Sequence, residues 1–370
     1  MNVEGTRPYL PESAARRSRI FQRASELFAL WGYQNVELPT LEPYDPNHPL
    51  AERAFKLVDA GGQVLALRSE YTTALARLLM REPPPRFPAR YQYAGNLFLR
   101  QGSGEPLRLR EFAQVGVELI GVSSPSADAE LIELAFELCQ KLGIAKPQIE
   151  IGLPSLVRDI LSATGLEAEI VESLRRAIDR KNTPELAETL AGLAIEPGQA
   201  EIIMALPDLY GSPAVLADLP QTQLSSRARS DLEWLRQVLA ALPSNIEPLI
   251  DLGMARRYTY YTGITFRAYT PELGLPLLGG GRYDQGPEGS GGLLPQAAGF
   301  ALGVERVMEA LSEVPEAGPK RVACADLELA RVLRARGYAV ELVAGPEELA
   351  DYARARGISL IGSGGKVSEL

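Results

Sequence analysis

The sequence predicts an α+β protein in which a sheet is flanked by helices, interrupted by an all-helical insertion and followed by a small α/β unit. Three observations lead to this fold class. Strand and helix patterns are mixed in the first part of the chain, and helical patterns then run almost without strand signals over about 154–243. After the linker EAGPK, a βαβαβ pattern fills the remaining residues. We therefore expect a core over 1–315 and a C-terminal domain over 316–370.

The core begins with a helix and a short strand. Pro11 suits the first turn of this helix, and Gly32 suits its end. The apolar residues between them recur at helical spacing, which indicates one buried face. The segment NVELPTLEP, 35–43, indicates a short strand that proline stops. Further strands are predicted in QVLALR, ARYQYAGNLFLR, EFAQVGVELIGV, QIEIGLP, EPLIDLG, ITFRAYT, LPLLGGG and AAGFALG. Further helices are predicted in EYTTALARLLMR, SADAELIELAFELCQKLG and VERVMEALSEV.

Composition argues against several classes of function. The 370 residues carry 38 basic and 47 acidic side chains, and the net charge of −9 lowers the expectation of a nucleic-acid partner. No apolar run approaches the ~20 residues of a membrane span, and no secretory signal is visible, so we expect a cytoplasmic protein. One histidine, His48, and two cysteines leave almost nothing for a zinc site. We expect Cys139 and Cys324 to be buried small hydrophobes rather than a disulfide, and we expect no metal or cofactor.

Two stretches place carboxylates among other polar groups. In LALRSEYTTALAR, Glu70 and Thr72 end a predicted strand and begin a helix. A carboxylate at such a point commonly caps helix N–H groups, and the alternative is a grip on a ligand ammonium. In EFAQVGVELIG, Gln114, Gly116 and Glu118 alternate and therefore share one strand face. A face of this kind is unusual for a core and indicates the floor of a polar pocket.

Arginines, tyrosines and glycines mark the other stretches. FLRQGSGEPLRLR, 98–110, is predicted to join two antiparallel strands, and its arginines match phosphate or carboxylate. The tyrosines of ARRYTYYTGITF, 255–266, could line a pocket for a heteroaromatic ligand or pack within a strand. The glycines of GGGRYDQGPEGSGG, 279–292, either let backbone approach a ligand or form a surface turn. In AAGFALGVERVM, 297–308, Arg306 lies at a helix start that disfavours a cation, which indicates an anion nearby.

Together and in this order, these stretches resemble the core of the class II aminoacyl-tRNA synthetases, specifically the histidyl branch. WGYQNVELPTLEP resembles motif 1 of that family, LRSEYT its LRPEGT segment, and FLRQGSGEPLRLREFAQVGVELIG its motif 2. ARRYTYYTGITF is similar to the histidine-specific RGLDYYTGIVF, GGGRYD to GGRYD, and GFALGVER to motif 3. The resemblance covers roughly residues 1–312. It implies a class II synthetase-like antiparallel sheet flanked by helices, in a protein that dimerises through the motif 1 region.

The resemblance also implies a site for histidine. The residues that match histidine-binding positions are Glu70, Thr72, Gln114, Glu118, Arg256, Tyr260 and Tyr261. The first four would hold the amino and carbonyl ends of the ligand, and the two tyrosines would line the imidazole slot. The arginines that match phosphate-binding positions are Arg100, Arg110 and Arg306.

Departures from the family pattern argue against aminoacylation. Gln101 and Gly102 follow Arg100 where the family has an acid two residues on. Tyr71 stands where the family has glycine, and Thr259 stands where it has aspartate. Adenylate formation depends on a full set of charges, so this phosphate site is expected to be vestigial. The C-terminal unit is much shorter than the anticodon-binding domain of the family, so we expect no tRNA partner.

These departures resemble those of the regulatory subunits of ATP phosphoribosyltransferase, a synthetase-like family of histidine biosynthesis. This resemblance implies a protein without activity of its own that assembles with a short-form catalytic subunit in a hetero-oligomer. It also implies histidine as a possible effector. Two alternatives stay open at this point: a working histidyl-tRNA synthetase with a reduced C-terminal domain, and a free-standing histidine sensor.

Overall fold

The computed structural model describes residues 3–81, 86–100, 109–220, 224–255, 261–283, 295–311, 319–343, 345 and 348–370. The chain divides into two compact units, Met1–Val314 and Pro315–Leu370.

The first unit combines helices on both sides of a large sheet with a small second sheet. Its helices are α1 (Pro11–Leu30), α2 (Thr72–Arg81), α3 (Pro125–Leu142), α4 (Pro154–Ser162), α5 (Ala168–Asp179), α6 (Thr183–Ala191), α7 (Pro197–Ala205), α8 (Ser226–Ala241) and α9 (Val304–Ala310). Its strands are β1 (Gln34–Asn35), β2 (Leu41–Pro43), β3 (Lys56–Val58), β4 (Val64–Leu67), β5 (Ala89–Phe98), β6 (Glu111–Ile120), β7 (Gln148–Gly152), β8 (Tyr210–Gly211), β9 (Leu249–Asp251), β10 (Thr265–Thr270), β11 (Leu273–Tyr283) and β12 (Ala297–Gly303).

Within the described residues, the large sheet has nine strands in the order β1-β5-β6-β12-β11-β10-β7-β9-β8. Its central pairs are antiparallel, and among the described pairs of this sheet only β1–β5 and β7–β9 run parallel. The small sheet has the order β2-β4-β3. This architecture confirms the predicted fold class, an antiparallel sheet flanked by helices.

Local chemistry explains how α3 begins and ends against the sheet. The Ser124 side chain accepts a hydrogen bond from Ala127 N, and Pro125 occupies the first turn. Gly143 ends the helix at φ 110°, a conformation that glycine adopts without strain. The apolar face between these caps joins α1 and the sheet in the main core, where burial of each large side chain contributes about 1.5–3 kcal/mol.

Strand register places small residues beside the polar side chains of β6. Gly299 of β12 lies opposite Glu118, and Gly303 lies opposite Gln114. A side chain at Gly299 would overlap the Glu118 carboxylate and the backbone carbonyl of Val117. The glycine is therefore required for Glu118 to sit where it does.

The described part of the second unit contains a four-stranded sheet in the order β14-β13-β15-β16. Its elements are β13 (Arg321–Cys324), α10 (Leu327–Ala335), β14 (Ala339–Leu342), α11 (Leu349–Ala355), β15 (Leu360–Ser363) and β16 (Lys366–Glu369). The first three strands are parallel, and the elements from β13 to β15 follow one another in the order β-α-β-α-β. The fourth strand was not predicted and adds antiparallel to β15.

Three expectations differ in detail from the structure. NVELPTLEP was predicted as one strand, but it forms β1 and β2 in different sheets, because Pro39 lies between them and cannot donate to a ladder. The insertion over 154–243 is helical as predicted, except that β8 extends the edge of the large sheet. The helix after Gly303 is described as α9, and residues 312–318 lie outside the described part of the chain.

Both cysteines are buried and free, as predicted. Burial raises the pKa of the Cys139 thiol to about 12, so this thiol stays protonated and packs as a small apolar group. Within the described residues, no helix has the length and apolar character needed to cross a membrane.

Candidate functional site

A cavity of about 660 Å³ opens on the face of the large sheet formed by β6, β11 and β12. It brings together six of the residues predicted from the sequence. These are Glu70, Thr72, Gln114, Glu118, Tyr261 and Arg306. Among the described residues, no group of three or more His, Cys, Asp or Glu side chains could hold a metal ion.

Glu118 lies at the floor of the cavity and is 2% exposed. Its Oε1 accepts hydrogen bonds from the hydroxyls of Thr72 at 2.7 Å and Tyr93 at 3.4 Å. Its Oε2 accepts one from the Tyr283 hydroxyl at 2.5 Å. Burial raises the pKa of Glu118 to about 7, although the hydroxyls of Tyr283 and Thr72 oppose this shift. The carboxyl is therefore balanced between its charged and neutral forms near neutral pH.

Glu70 lies at the start of α2 and has two roles. Its oxygens accept hydrogen bonds from Thr72 N at 3.0 Å and Thr73 N at 2.8 Å, so it caps the helix while it lines the cavity. Burial acts to raise the pKa of Glu70, but hydrogen bonds from His48 and Thr73 outweigh burial and lower it. Glu70 thus carries a negative charge near neutral pH, whereas Glu118 is balanced between its two forms.

His48 also lines the cavity, although no sequence pattern predicts it there. Its Nδ1 accepts a hydrogen bond from Leu50 N at 3.0 Å. In the neutral ring the proton is therefore on Nε2, which lies 3.3 Å from Glu70 Oε1 and donates to it. The only histidine of the chain is in this way a neighbour of the carboxylate that the resemblance assigns to a ligand ammonium.

Two stacked tyrosines form one wall of the cavity. The rings of Tyr71 and Tyr93 lie 4.1 Å apart with an interplanar angle of 12°. The Tyr71 hydroxyl accepts a hydrogen bond from Arg68 Nη2 at 2.9 Å. A side chain at Gly116 would meet the Tyr93 hydroxyl at 2.5 Å, so this glycine gives Tyr93 access to Glu118.

Glu305 and Arg306 lie at another part of the lining, where β12 leads into α9. Glu305 accepts hydrogen bonds from Ala113 N at 2.8 Å and from the Tyr9 hydroxyl at 2.9 Å. Arg306 Nη1 donates to Pro276 O at 2.6 Å. The sequence singled out Arg306 but not Glu305, which joins the N-terminal segment to β6.

The predicted phosphate-binding residues do not come together. Arg100 Nη2 donates to Glu52 O at 2.6 Å, and Arg110 Nη2 lies 3.8 Å from Glu4 Oε2. Neither side chain is part of the described cavity lining, whereas Arg306 is. The predicted ligand-binding residues Arg256 and Tyr260 lie outside the described residues, as does most of the loop between Arg100 and Arg110.

The cavity suits a small ligand that is rich in N–H donors. A carboxylate offers about four acceptor positions. Glu70 and Glu118 each accept three hydrogen bonds from described residues, so each has capacity for one more. Two carboxylates and two aromatic rings favour an ammonium group or a protonated or neutral imidazole over an anion.

The fold and this cavity define a class of protein. Residues 5–307 match the family model described as histidyl-tRNA synthetase. The crystal structure of histidyl-tRNA synthetase from Nostoc aligns with a TM-score of 0.80 over 100% of this chain and 96% of that one. At 18% identity, this likeness concerns the fold alone. The architecture is that of the histidyl-tRNA synthetase class.

Two relatives and a second crystal structure narrow this class. The chain is 49% identical to the ATP phosphoribosyltransferase regulatory subunit of Thermus thermophilus over 98% of both chains. It is 43% identical to that of Deinococcus radiodurans over 96% of this chain and 86% of the other. An ATP phosphoribosyltransferase regulatory subunit/histidyl-tRNA synthetase from Bacillus halodurans aligns with a TM-score of 0.81 at 28% identity, over 96% of both chains. The chain belongs to the family of ATP phosphoribosyltransferase regulatory subunits.

Proposed function

We propose that the protein is a regulatory subunit of ATP phosphoribosyltransferase that acts in the first step of histidine biosynthesis and has no activity of its own. It assembles with a short-form catalytic subunit in the cytoplasm, and histidine bound in the cavity serves as the effector. No tRNA takes part. The observation that carries the proposal is the composition of the cavity: the carboxylates Glu70 and Glu118 line it, but Arg100 and Arg110 lie outside its described lining.

The charges of the cavity support binding of an amino acid without its activation. Glu70 and Glu118 complement a ligand that brings N–H donors. A triphosphate would need cations directed at it, and of the three arginines that match phosphate-binding positions only Arg306 lines the cavity. Tyr71 supports the same conclusion, because its ring fills space in the wall where the family resemblance has only glycine.

Histidine binding would regulate the complex through a reciprocal coupling. If histidine favours an inhibited arrangement of the complex, the catalytic subunit must change histidine affinity by the same factor. The cavity would then act as the sensor, and the interface with the catalytic subunit would transmit the effect.

The experiment mixes the purified protein with a short-form catalytic subunit and measures phosphoribosyl transfer to ATP, with and without histidine. We expect activity only in the mixture, and inhibition by histidine. Pyrophosphate exchange with ATP and histidine is measured in parallel on the protein alone, and we expect none. Robust exchange would favour a working histidyl-tRNA synthetase, and a mixture without activity would favour a free-standing sensor.

A further inference from the structure

The helical insertion contacts the chain on both sides of the segment that carries the predicted residues Arg256 and Tyr260. On one side, Arg175 Nη1 of α5 donates to Ala255 O, and Asp179 Oδ1 of the same helix accepts from Ala255 N at 3.0 Å. On the other side, Arg158 Nη2 of α4 donates to Tyr261 O at 2.8 Å. Three charged side chains of the insertion thus hold the backbone of Ala255 and Tyr261.

These charged side chains form hydrogen bonds with uncharged backbone groups. Burial lowers the pKa of Arg158, and the nearby Arg227 adds to that shift. Burial of a charged guanidinium costs free energy, yet Arg158 donates its hydrogen bond to a neutral carbonyl. Arg175 is oriented by Glu172, whose two oxygens accept hydrogen bonds from it at 2.7 and 2.8 Å. This preorientation fits a side chain whose task is to fix the position of another group.

Tyr261, which Arg158 holds, and Asp179, which holds Ala255, both adjoin the cavity directly. Tyr261 lines it and is 8% exposed, and Asp179 lines it as well as accepting from Ala255 N. Tyr261 also packs closely over Gly281, since a side chain there would meet its Cδ1 at 2.9 Å. A shift of α4 would therefore move the Tyr261 wall of the cavity, and a shift of α5 would move Asp179 in its lining.

We propose that Arg158, Arg175 and Asp179 are positioning residues of the ligand site, through which the insertion sets the affinity of the cavity. This inference rests on the proposed function insofar as histidine is the ligand. It assigns the insertion a role in ligand binding in addition to its own packing. A partner or ligand that displaces α4 or α5 would alter histidine affinity without touching histidine.

The test compares Arg175→Ala with Arg176→Ala in the full-length protein. Arg176 is the matched control, because it is the next residue on α5, pairs with the same Glu172, and has a side chain that is 54% exposed. Amide hydrogen exchange is measured for peptides that span 255–261, and histidine affinity is measured by calorimetry. We expect Arg175→Ala to speed exchange in these peptides and to weaken histidine binding about tenfold or more. We expect Arg176→Ala to leave both unchanged.

Asp179 supplies a second variant that separates positioning from simple loss of stability. Asp179→Asn keeps an oxygen acceptor for Ala255 N, so it should restore most of the protection that Asp179→Ala loses. Equal exchange at 255–261 in all variants and the wild type would overturn the inference, whether or not histidine binds. Altered exchange in a protein that binds no histidine would leave the positioning role standing and would reject histidine as the effector.

Discussion

Burial and hydrogen bonding shift the pKa of the Glu118 carboxyl in opposite directions. Burial raises the pKa of Glu118 from 4.5 to about 7, with a further increase from the charge of Glu70. The hydroxyls of Tyr283, Thr72 and Tyr93 favour the charged form and limit the shift. The carboxyl can therefore change its protonation when a cationic or N–H ligand arrives.

This balance predicts a pH dependence of stability. Because the pKa of Glu118 is higher in the folded state than in the unfolded chain, the folded state keeps a proton that the unfolded chain has lost. The resulting stabilisation is present below pH 4.5 and is lost as the pH rises to about 7. Relative to Glu118→Gln, the wild-type free energy of unfolding should fall by up to about 3 kcal/mol over this range.

Urea unfolding at a series of pH values checks this prediction. The quantity of interest is the wild-type free energy of unfolding minus that of Glu118→Gln, because pH-dependent contributions that the two proteins share then cancel. The exposed Glu12→Gln provides a control for the loss of a carboxyl outside the cavity. A difference that stays constant from pH 4.5 to 7 would contradict the assignment of a protonated Glu118.

The residues of the site differ in how far the sequence could reveal them. Glu70 and Glu118 lie in stretches whose order resembles a known family, so they could be identified. Tyr283 belongs to the GGGRYD stretch, so the same family resemblance could have identified it. His48 could not be found in this way, because a lone histidine has no pattern and its contact with Glu70 depends on how the chain folds.

At the scale of elements, one buried carboxylate joins a helix of the core, a helix of the insertion and a strand. Asp128 of α3 accepts hydrogen bonds from Arg282 Nε of β11 at 3.0 Å and from Trp234 Nε1 of α8 at 2.7 Å. The side chains of Arg282 and Asp128 are 3% and 2% exposed. Arg282 Nη1 also donates to Val122 O at 3.1 Å.

Removal of the Asp128 carboxylate should lower the stability of the fold. Asp128→Ala would remove the Asp128 carboxylate from the buried Arg282 charge, so we expect the free energy of unfolding to fall by about 3–5 kcal/mol. Glu137→Ala on the same helix is the control. Glu137 accepts a hydrogen bond from Trp31 Nε1 at 2.9 Å in an exposed position, and its loss should cost less than about 1.5 kcal/mol. Chemical unfolding of both variants measures the difference, and equal losses would contradict the assigned importance of the pair.

Long elements with clear periodicity were predictable, and short exposed strands were not. The apolar spacing of α1 and α3 and the alternation in β6 fixed their type from local sequence alone. β3 and β16 are short, and all their residues are exposed, so no pattern of burial marks them. Their strand structure comes from pairing with β4 and β15, which is information that a local segment does not contain.

At the scale of the whole molecule, self-association is a prediction of the motif 1 resemblance. Leu41, in the strand β2 that matches motif 1, is 51% exposed. Exposed apolar side chains also occur on the neighbouring strands at Val58 and Val64, which lie opposite each other. Such side chains near one small sheet are consistent with a covered surface in a dimer.

We expect Leu41→Asp to convert a dimer into a monomer, because the introduced charge would be buried without a partner at the interface. Light scattering coupled to size-exclusion chromatography measures the mass. Val332→Asp is the control, since Val332 is an exposed apolar residue of α10 in the C-terminal unit, with 45% exposure. A wild-type protein that is already monomeric, or a Leu41→Asp variant that remains dimeric, would contradict dimerisation through this region.

The position of His48 gives the molecule a built-in spectroscopic reporter. The chain has a single imidazole among 370 residues, and that ring contacts Glu70 in the cavity. Protein grown on isotope-labelled histidine would therefore give the resonances of a single imidazole ring in an NMR spectrum, and they would originate at the cavity. Titration with unlabelled amino acids or with a catalytic subunit could then be followed at this one ring, free of overlap with other histidines and without attachment of a dye.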